Sequence, residues 1–164
     1  MLMRQVGFFL LLIGAATLLA STPARADSGD KLAKAIQTRQ GAYKYLAWNM
    51  GKIKRMLEND ALLYDAGKAK AAANAISAFA NSGIGALFLP GTDKTVNGVK
   101  TNAKPEMFQA EHRQKLGDVA ADFNREANKL AKVAAQEDED ELKAQFGKVG
   151  KTCKACHKAF KHKR

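Results

Sequence analysis

Several features that would place this chain in a common class of protein are missing from its 164 residues. It has two cysteines, too few for a fold that depends on several disulfides. Alternating runs of β-branched residues, which are typical of half-buried strands, do not occur, and neither do internal repeats or low-complexity tracts. These absences leave an all-helical domain as the main expectation.

The one long apolar run, residues 6–20, lies near the N-terminus and follows Arg4. It is shorter than the roughly 20 residues that a membrane-spanning helix needs. Ala24-Arg25-Ala26 places small residues where a signal peptidase requires them. We therefore expect residues 1–26 to be a cleaved signal peptide and residues 27–164 to form one periplasmic domain with no membrane anchor.

The predicted mature chain is basic. Arg4 and Arg25 are the only charged residues before Asp27, so their removal lowers the formal net charge from +11 to about +9. A basic surface suits nucleic acid, anionic lipid or an acidic protein, and export argues against nucleic acid. The lysines are spread along the chain, as on an ordinary solvated surface, and an acidic redox protein is the alternative partner.

Apolar residues at spacings of three and four predict helices over about 31–57, 65–81, 105–135 and 140–160. Asp65 is suited to cap the second helix, and Pro105 is suited to the first turn of the third. A long loop, 85–104, contains the turn signals Pro90-Gly91 and Asn97-Gly98. The pattern predicts an all-α fold, an antiparallel four-helix bundle.

The residues with the most recognisable chemistry are Cys153-Lys154-Ala155-Cys156-His157, the C-x-x-C-H pattern of covalent haem attachment. Because residues three apart share one face of a helix, both sulfurs can form thioethers with one edge of a porphyrin, and His157 can then ligate the iron. The sequence therefore predicts one covalent haem c near one end of the bundle.

Three other interpretations of the cysteine pair fit less well. A disulfide between Cys153 and Cys156 would close too small a loop to stabilise much. A thioredoxin-like pair follows a strand, whereas this pair lies near the end of an all-helical chain. A zinc site needs four ligands, and only His162 is available nearby as a fourth.

A second axial ligand would decide what the haem does. The candidate side chains are Tyr43, Met50, Met56, Met107, His112 and His162. His162 follows His157 on the proximal side and cannot reach round the ring. We expect His112 at the surface and the methionines of the first helix in the core.

Taken together, these segments make nearly all of residues 27–164 resemble cytochrome c prime (cytochrome c'), a family of exported, usually dimeric four-helix-bundle monohaem proteins. The matching segments are Thr38-Arg39-Gln40, Trp48-Asn49-Met50-Gly51-Lys52, Gly91-Thr92-Asp93, Pro105-Glu106, Phe146-Gly147-Lys148-Val149-Gly150 and the terminal C-x-x-C-H. Many members have an arginine shortly after the histidine. This chain has Lys161 there, which keeps the charge but lacks the planar guanidinium.

The resemblance implies a five-coordinate, high-spin haem with His157 as its sole axial ligand. It implies that Arg39 and Gln40 lie beside the haem edge and propionates, and that Thr92 and Asp93 belong to a loop that closes over the haem. Tyr43 matches the distal position, where low-spin relatives have a methionine that binds iron.

A neutral tyrosine is a poor iron ligand, so the resemblance implies an open distal position sealed by Tyr43 and Leu46. The alternative that Tyr43 is only a core aromatic stays open. An apolar pocket tolerates nitric oxide and carbon monoxide. We therefore expect a homodimeric gas-binding haemoprotein, or alternatively a plain electron carrier. An enzyme is not expected, because no distal acid–base pair is evident.

Overall fold

Four helices contain most of the residues that the structure describes. The computed structural model describes residues 24–59 and 62–163. Its helices are α1 (Ala24–Glu58), α2 (Ala66–Ala80), α3 (Arg113–Ala134) and α4 (Glu139–Phe160), with short 3-10 turns at Ile84–Leu87, Pro105–Phe108 and Ala110–His112. Consecutive helices pack against each other in chain order. The prediction of an all-α four-helix bundle is confirmed.

The predicted signal peptide lies outside the described residues, except for its last three, which begin α1. Among the helices in the described ranges, none combines the length and the apolar character needed to cross a membrane.

The short helix α2 is stabilised at both ends by the residues that the sequence predicts. The Asp65 carboxylate accepts a hydrogen bond from the Lys68 N–H at 2.8 Å, and Asn81 caps the C-terminus. The Asn124 side chain, near the middle of α3, donates to the Ala80 carbonyl at 3.0 Å. Since α2 has 15 residues and α3 has 22, α2 covers only the C-terminal half of α3.

The third helix begins later than predicted. Pro105 starts a 3-10 turn, Gln109 is extended (φ −84°, ψ 141°), and the α-helix begins only at Arg113. The segment before the turn is tied to the end of α4, because the Lys104 N–H donates to the Phe160 carbonyl at 3.0 Å. The chain must first turn away from α4, so a helix from Pro105 was the wrong prediction.

Most of the buried core lies at one end of the bundle. Because neighbouring helices alternate in direction, the C-terminal halves of α1 and α3 meet the N-terminal halves of α2 and α4 there. The buried side chains include Ile53, Leu57, Ala69, Ala73, Leu130, Val133 and Leu142. We call this the packed end.

The opposite end, which contains the cysteine pair, is less completely filled. On the N-terminal half of α3, Leu116, Val119 and Phe123 are only half-buried. Phe88, which follows the first 3-10 turn, is also half-buried. We call this the attachment end.

Candidate functional site

The two cysteines lie on the stripe of α4 that faces the bundle. Val149, Cys153, Cys156 and Phe160 recur at steps of four, three and four, and Val149 and Phe160 are buried. Cys153 packs against the core, both thiols are free, and both cysteines are half-buried. His157 lies beside this stripe and is exposed. The apolar pattern of α4 therefore turns both sulfurs toward the same side.

The electrostatic surroundings keep these groups neutral. Burial raises the pKa of both thiols, and the charge of Cys153 raises the pKa of Cys156 further. Partial desolvation, followed by the positive charge of Lys161, lowers the pKa of His157. The neutral imidazole that results is the form that ligates a metal.

Tyr43 lies on α1 among aromatic rings. Its ring centroid is 5.0 Å from that of Phe79 and 6.4 Å from that of Phe88, in edge-on geometry. Burial, and then the nearby Cys156 charge, raises the pKa of Tyr43 to about 12. The residue is still 38% exposed, so it covers its surroundings only in part. Its role as the distal side chain stays a prediction.

Arg39 is the most completely enclosed cation of α1, at 4% exposure. Its guanidinium donates to the Thr92 hydroxyl and carbonyl, both at 2.7 Å, to the Thr101 hydroxyl at 2.6 Å and to the Leu87 carbonyl at 3.3 Å. All four acceptors are neutral, and no ion pair of Arg39 is present within the described ranges. Desolvation is the main cause that lowers its pKa. A buried positive charge without an anion is thus present at this end of the bundle.

The 81–104 loop is tied to α1 by several further bonds. The Gln40 side chain donates to the Lys100 carbonyl at 2.7 Å. Gly91, at φ 88°, turns the chain so that Thr92 is fully buried, and Asp93 beside it is half-buried. The predicted Asn97-Gly98 turn is confirmed, since Val96 and Val99 pair across it.

The other candidate iron ligands lie in different surroundings. Met50 and Met56 pack against the core as expected. The prediction that His112 is a surface residue holds in part, because His112 is half-buried, with its ring centroid 6.4 Å from that of Phe160. His162 is exposed beyond the end of α4, and Met107 is half-buried in a 3-10 turn.

Thr101 and Phe88 belong to this site but were not found by sequence reasoning. Thr101 accepts a hydrogen bond from Arg39 across 62 positions, and Phe88 lies 4.6 Å beneath the guanidinium. Neither residue is part of a local motif. Only the approach of the long loop to α1 reveals them.

A covalent haem fits these surroundings on three grounds. Its vinyl groups would bond to the free thiols of Cys153 and Cys156. Its ring would cover the half-buried apolar side chains of the attachment end. Its carboxylates would supply the anion that buried Arg39 lacks. By contrast, no group of three or more His, Cys, Asp or Glu side chains that could hold a metal ion forms in residues 24–59 and 62–163.

Comparison with known proteins identifies relatives along most of the chain. Residues 34–161 match the family model described as Cytochrome C'. Cytochrome c' from Allochromatium vinosum is 49% identical over 128 residues, which cover 78% of this chain and 80% of that protein.

Solved structures agree with the fold. A cytochrome c' described as having an unusual ligand-controlled dimer dissociation is 47% identical, with a TM-score of 0.75, and the match covers 80% of this chain and 97% of that one. The nitric oxide complex of a leucine-to-alanine mutant of cytochrome c prime from Alcaligenes xylosoxidans is 29% identical, with a TM-score of 0.68, over 80% of this chain and 95% of that one.

Proposed function

The chain belongs to the cytochrome c' family, and we propose that it is a periplasmic protein that binds nitric oxide or carbon monoxide at a five-coordinate haem iron. The cofactor is one covalently attached haem c, which supplies the iron position where a diatomic gas binds. The remaining chemistry depends on how this chain's side chains attach, orient and enclose that group.

Three residues of α4 attach and orient the haem. Cys153 and Cys156 would hold it through thioethers, and the neutral imidazole of His157 would ligate its iron. The half-buried, same-face arrangement of the two cysteines, with exposed His157 beside them, supports this assignment. On α1, Arg39 would neutralise a haem carboxylate, and Gln40, which donates to the Lys100 carbonyl, would hold the loop that contains Thr92 and Asp93 beside the haem.

The proposal of gas binding rests on the identity of the α1 side chain that lies near the cysteine pair. It is Tyr43, and with a pKa of about 12 its phenol stays protonated at neutral pH. A protonated phenol is a poor iron ligand. With Phe79 and Phe88 it forms an apolar cover that a small uncharged gas can displace.

The optical spectrum of the ferrous holoprotein, before and after addition of nitric oxide, tests this proposal. We expect a high-spin spectrum at rest and a clear change on addition of the gas. Tyr43→Met should convert the resting spectrum to a six-coordinate low-spin one, whereas Tyr43→Phe should stay high-spin. A six-coordinate low-spin spectrum in the unmodified protein would overturn the proposal.

Export is proposed from the N-terminal sequence. The mature protein should begin at Asp27, and N-terminal sequencing of the periplasmic fraction tests this. A mature chain that retains residues 1–26 would contradict it.

A homodimer is proposed through the outer face of α1. Tyr45 and Trp48 are 53% and 56% exposed there, and the Lys52 ammonium lies 3.9 Å above the Trp48 ring. Because Tyr43 belongs to the same helix, a gas that displaces it should loosen the dimer. Sedimentation with and without carbon monoxide tests this, and an unchanged sedimentation coefficient would contradict it.

Electron transfer to an acidic partner is the second candidate function, favoured by the lysines of α4. Enzymatic activity is not proposed, because Tyr43, Phe79 and Phe88 offer no acid–base pair. Fast electron exchange without any nitric oxide adduct would favour the carrier over the gas-binding protein.

A further inference from the structure

The charges of α4 are separated along its length. Asp138 caps the helix, and its first turn contains Glu139, Asp140 and Glu141. No acidic residue follows Glu141 in the helix, whereas four of its lysines, Lys148, Lys151, Lys154 and Lys158, recur at steps of three, three and four, and Lys161 follows as the C-cap residue. At 100° per residue, Lys151, Lys154 and Lys158 lie on the side of α4 opposite the buried stripe, and Lys148 lies at the edge of that side. We call these five residues the lysine face.

Helix stability does not explain the lysine face. Lysines three and four positions apart on one helix repel each other, at a cost of a few tenths of a kcal/mol per pair. The helix dipole favours cations only in the last turn, so it does not explain Lys148 or Lys151. On α3, by contrast, Arg125 pairs with Asp122 at 2.8 Å and with Glu126 at 3.0 Å.

The lysine face forms no ion pair within the described residues, and only Lys148 lies within electrostatic reach of a carboxylate, that of Glu126. The ion pairs of the described residues involve Lys54, Lys68 and Arg125 as the cations, and no α4 lysine. Lys151, Lys154 and Lys158 are exposed. Their positive field is therefore uncompensated and points toward solvent.

This face borders the attachment site. Lys154 lies between the two cysteines in sequence, and Lys158 follows His157. The segment before the 3-10 turn at Pro105 places a further lysine, Lys104, near this face, where its ammonium donates to the Lys158 carbonyl at 3.4 Å. A pocket of about 280 Å³ lies beside it, lined by His157, Lys161, His162 and Lys163. A molecule attracted to the lysine face would therefore lie next to exposed His157, on the outer side of α4.

We propose that the lysine face docks an acidic electron-transfer protein. Docking would support a one-electron transfer, in which the reduced centre of the partner is oxidised and the ferric haem of this chain is reduced. No covalent bond forms or breaks, and no proton is transferred. The inference rests on the haem attachment proposed above. It specifies where on this chain the partner binds and that the partner's binding surface is negatively charged.

A membrane surface fits the lysine face less well than a protein does. Basic helices that lie on membranes insert large apolar side chains beside their cations. The positions between the lysines on the outer side of α4 are Gly147, Gly150 and Ala155, which cannot anchor in lipid.

The test compares two double variants of the holoprotein. Lys151→Gln with Lys158→Gln neutralises the lysine face but spares the cysteine motif. Lys129→Gln with Lys132→Gln is the matched control, because both residues are exposed on α3 near the packed end and the net charge changes equally. Both variants must keep the spectrum and nitric oxide response of the unmodified protein, which separates this test from that of the proposed function.

The measurement is the rate at which a reduced, acidic plant-type [2Fe–2S] ferredoxin reduces the ferric holoprotein. We expect this rate to fall with rising ionic strength and, at low salt, to be about tenfold lower in the α4 variant but nearly unchanged in the control. Reduction by the cation hexaammineruthenium(II) should not be slowed. Equal ferredoxin rates in the two variants, or equal slowing with both reductants, would overturn the proposal.

Vesicles of phosphatidylglycerol and phosphatidylcholine distinguish the membrane alternative. The holoprotein should not co-sediment with them at physiological salt. Co-sedimentation that the α4 variant abolishes, together with an unchanged ferredoxin rate, would replace the protein partner with a lipid surface.

Discussion

The two ends of the bundle are built from the same four helices but differ in how completely they are packed. At the packed end, Leu130 on α3 and Leu142 on α4 are fully buried. At the attachment end, Leu116 and Phe123 on α3 remain half-buried. The same helix thus changes from full burial to partial burial along its length, which shows that α3 is less completely covered at the attachment end.

The length of α2 explains much of this difference. The helix ends at Ala80, and the loop that continues from it contributes Phe88 and Thr92 to the wall of the attachment end. Loop residues fill space less regularly than a helix does, so apolar side chains of α3 are left partly exposed. A haem attached at Cys153 and Cys156, as an apolar group with charged carboxylates, would complete the core at this end.

Removal of the haem should have the largest effect and should make the two ends differ further. In Cys153→Ala with Cys156→Ala, we expect no covalent haem by intact-mass measurement. Hydrogen exchange should then accelerate strongly in residues 113–123 and much less in residues 127–134, because only the first group loses its cover. Equal acceleration along α3 would show that the ends do not fold independently.

A cavity at the packed end should affect stability without changing the site. Leu130→Ala removes a fully buried side chain, and we expect the free energy of unfolding to fall by about 3–4 kcal/mol. The haem spectrum and the nitric oxide response should not change. The neighbouring exposed Lys129→Ala is the control for urea unfolding, and a spectral change in Leu130→Ala would contradict the separation of the two ends.

Arg39→Met tests the hydrogen bonds that hold the loop after α2 against α1 at the attachment end, where α2 no longer covers the bundle. The variant leaves the carbonyls of Leu87 and Thr92 without their donor, so we expect a loss of about 2–3 kcal/mol in urea unfolding. Thr101→Val removes one of the four bonds of Arg39 and the bond that Thr101 accepts from the Ala103 N–H, and should cost about 1.5 kcal/mol. Exposed Lys44→Met is the control on α1, and equal stability of Arg39→Met and Lys44→Met would show that the guanidinium does not hold the loop.

Features with local causes could be predicted from the sequence. Asp65 caps α2, Asn97-Gly98 forms its turn, and the cysteines share one face of α4, because each depends on residues within a few positions. The start of α3 could not be predicted, because it depends on the pairing of Lys104 with Phe160. Pro105 is compatible with either a 3-10 turn or an α-helix, and the distant contact selects the turn.

In the candidate site, too, features that depend on distant contacts could not be predicted. The resemblance pointed to Arg39, Gln40, Tyr43, Thr92 and Asp93, but not to the contacts that position them. Arg39 binds Thr101 and Thr92 because the loop folds back over α1, and such long-range contacts have no signature in either segment alone.

The smallest effect that we predict concerns Tyr43 at alkaline pH. Its pKa is raised from 10.0 to about 12 in the folded protein, so the folded state binds its proton more tightly than the unfolded state does. The contribution of Tyr43 to stability is therefore complete below pH 10 and is lost as pH rises toward about 12. A shift of two units corresponds to about 2.7 kcal/mol, but the exposure of the residue reduces the expected loss to at most about 1 kcal/mol.

Tyr43→Phe isolates this contribution, because it removes the phenol but keeps the ring against Phe79. Unfolding free energies of both proteins should decline between pH 10 and pH 12, as other groups titrate, and the decline should be steeper in the protein with Tyr43. Thioether formation removes the charges of Cys153 and Cys156, which contribute to the raised pKa, so the difference should be larger in haem-free protein that retains both cysteines than in the holoprotein. If Tyr43→Phe does not change the slope of the decline in either the haem-free protein or the holoprotein, the phenol is already solvated. Tyr43 would then pack less tightly against Phe79 and Phe88 than its ring contacts indicate.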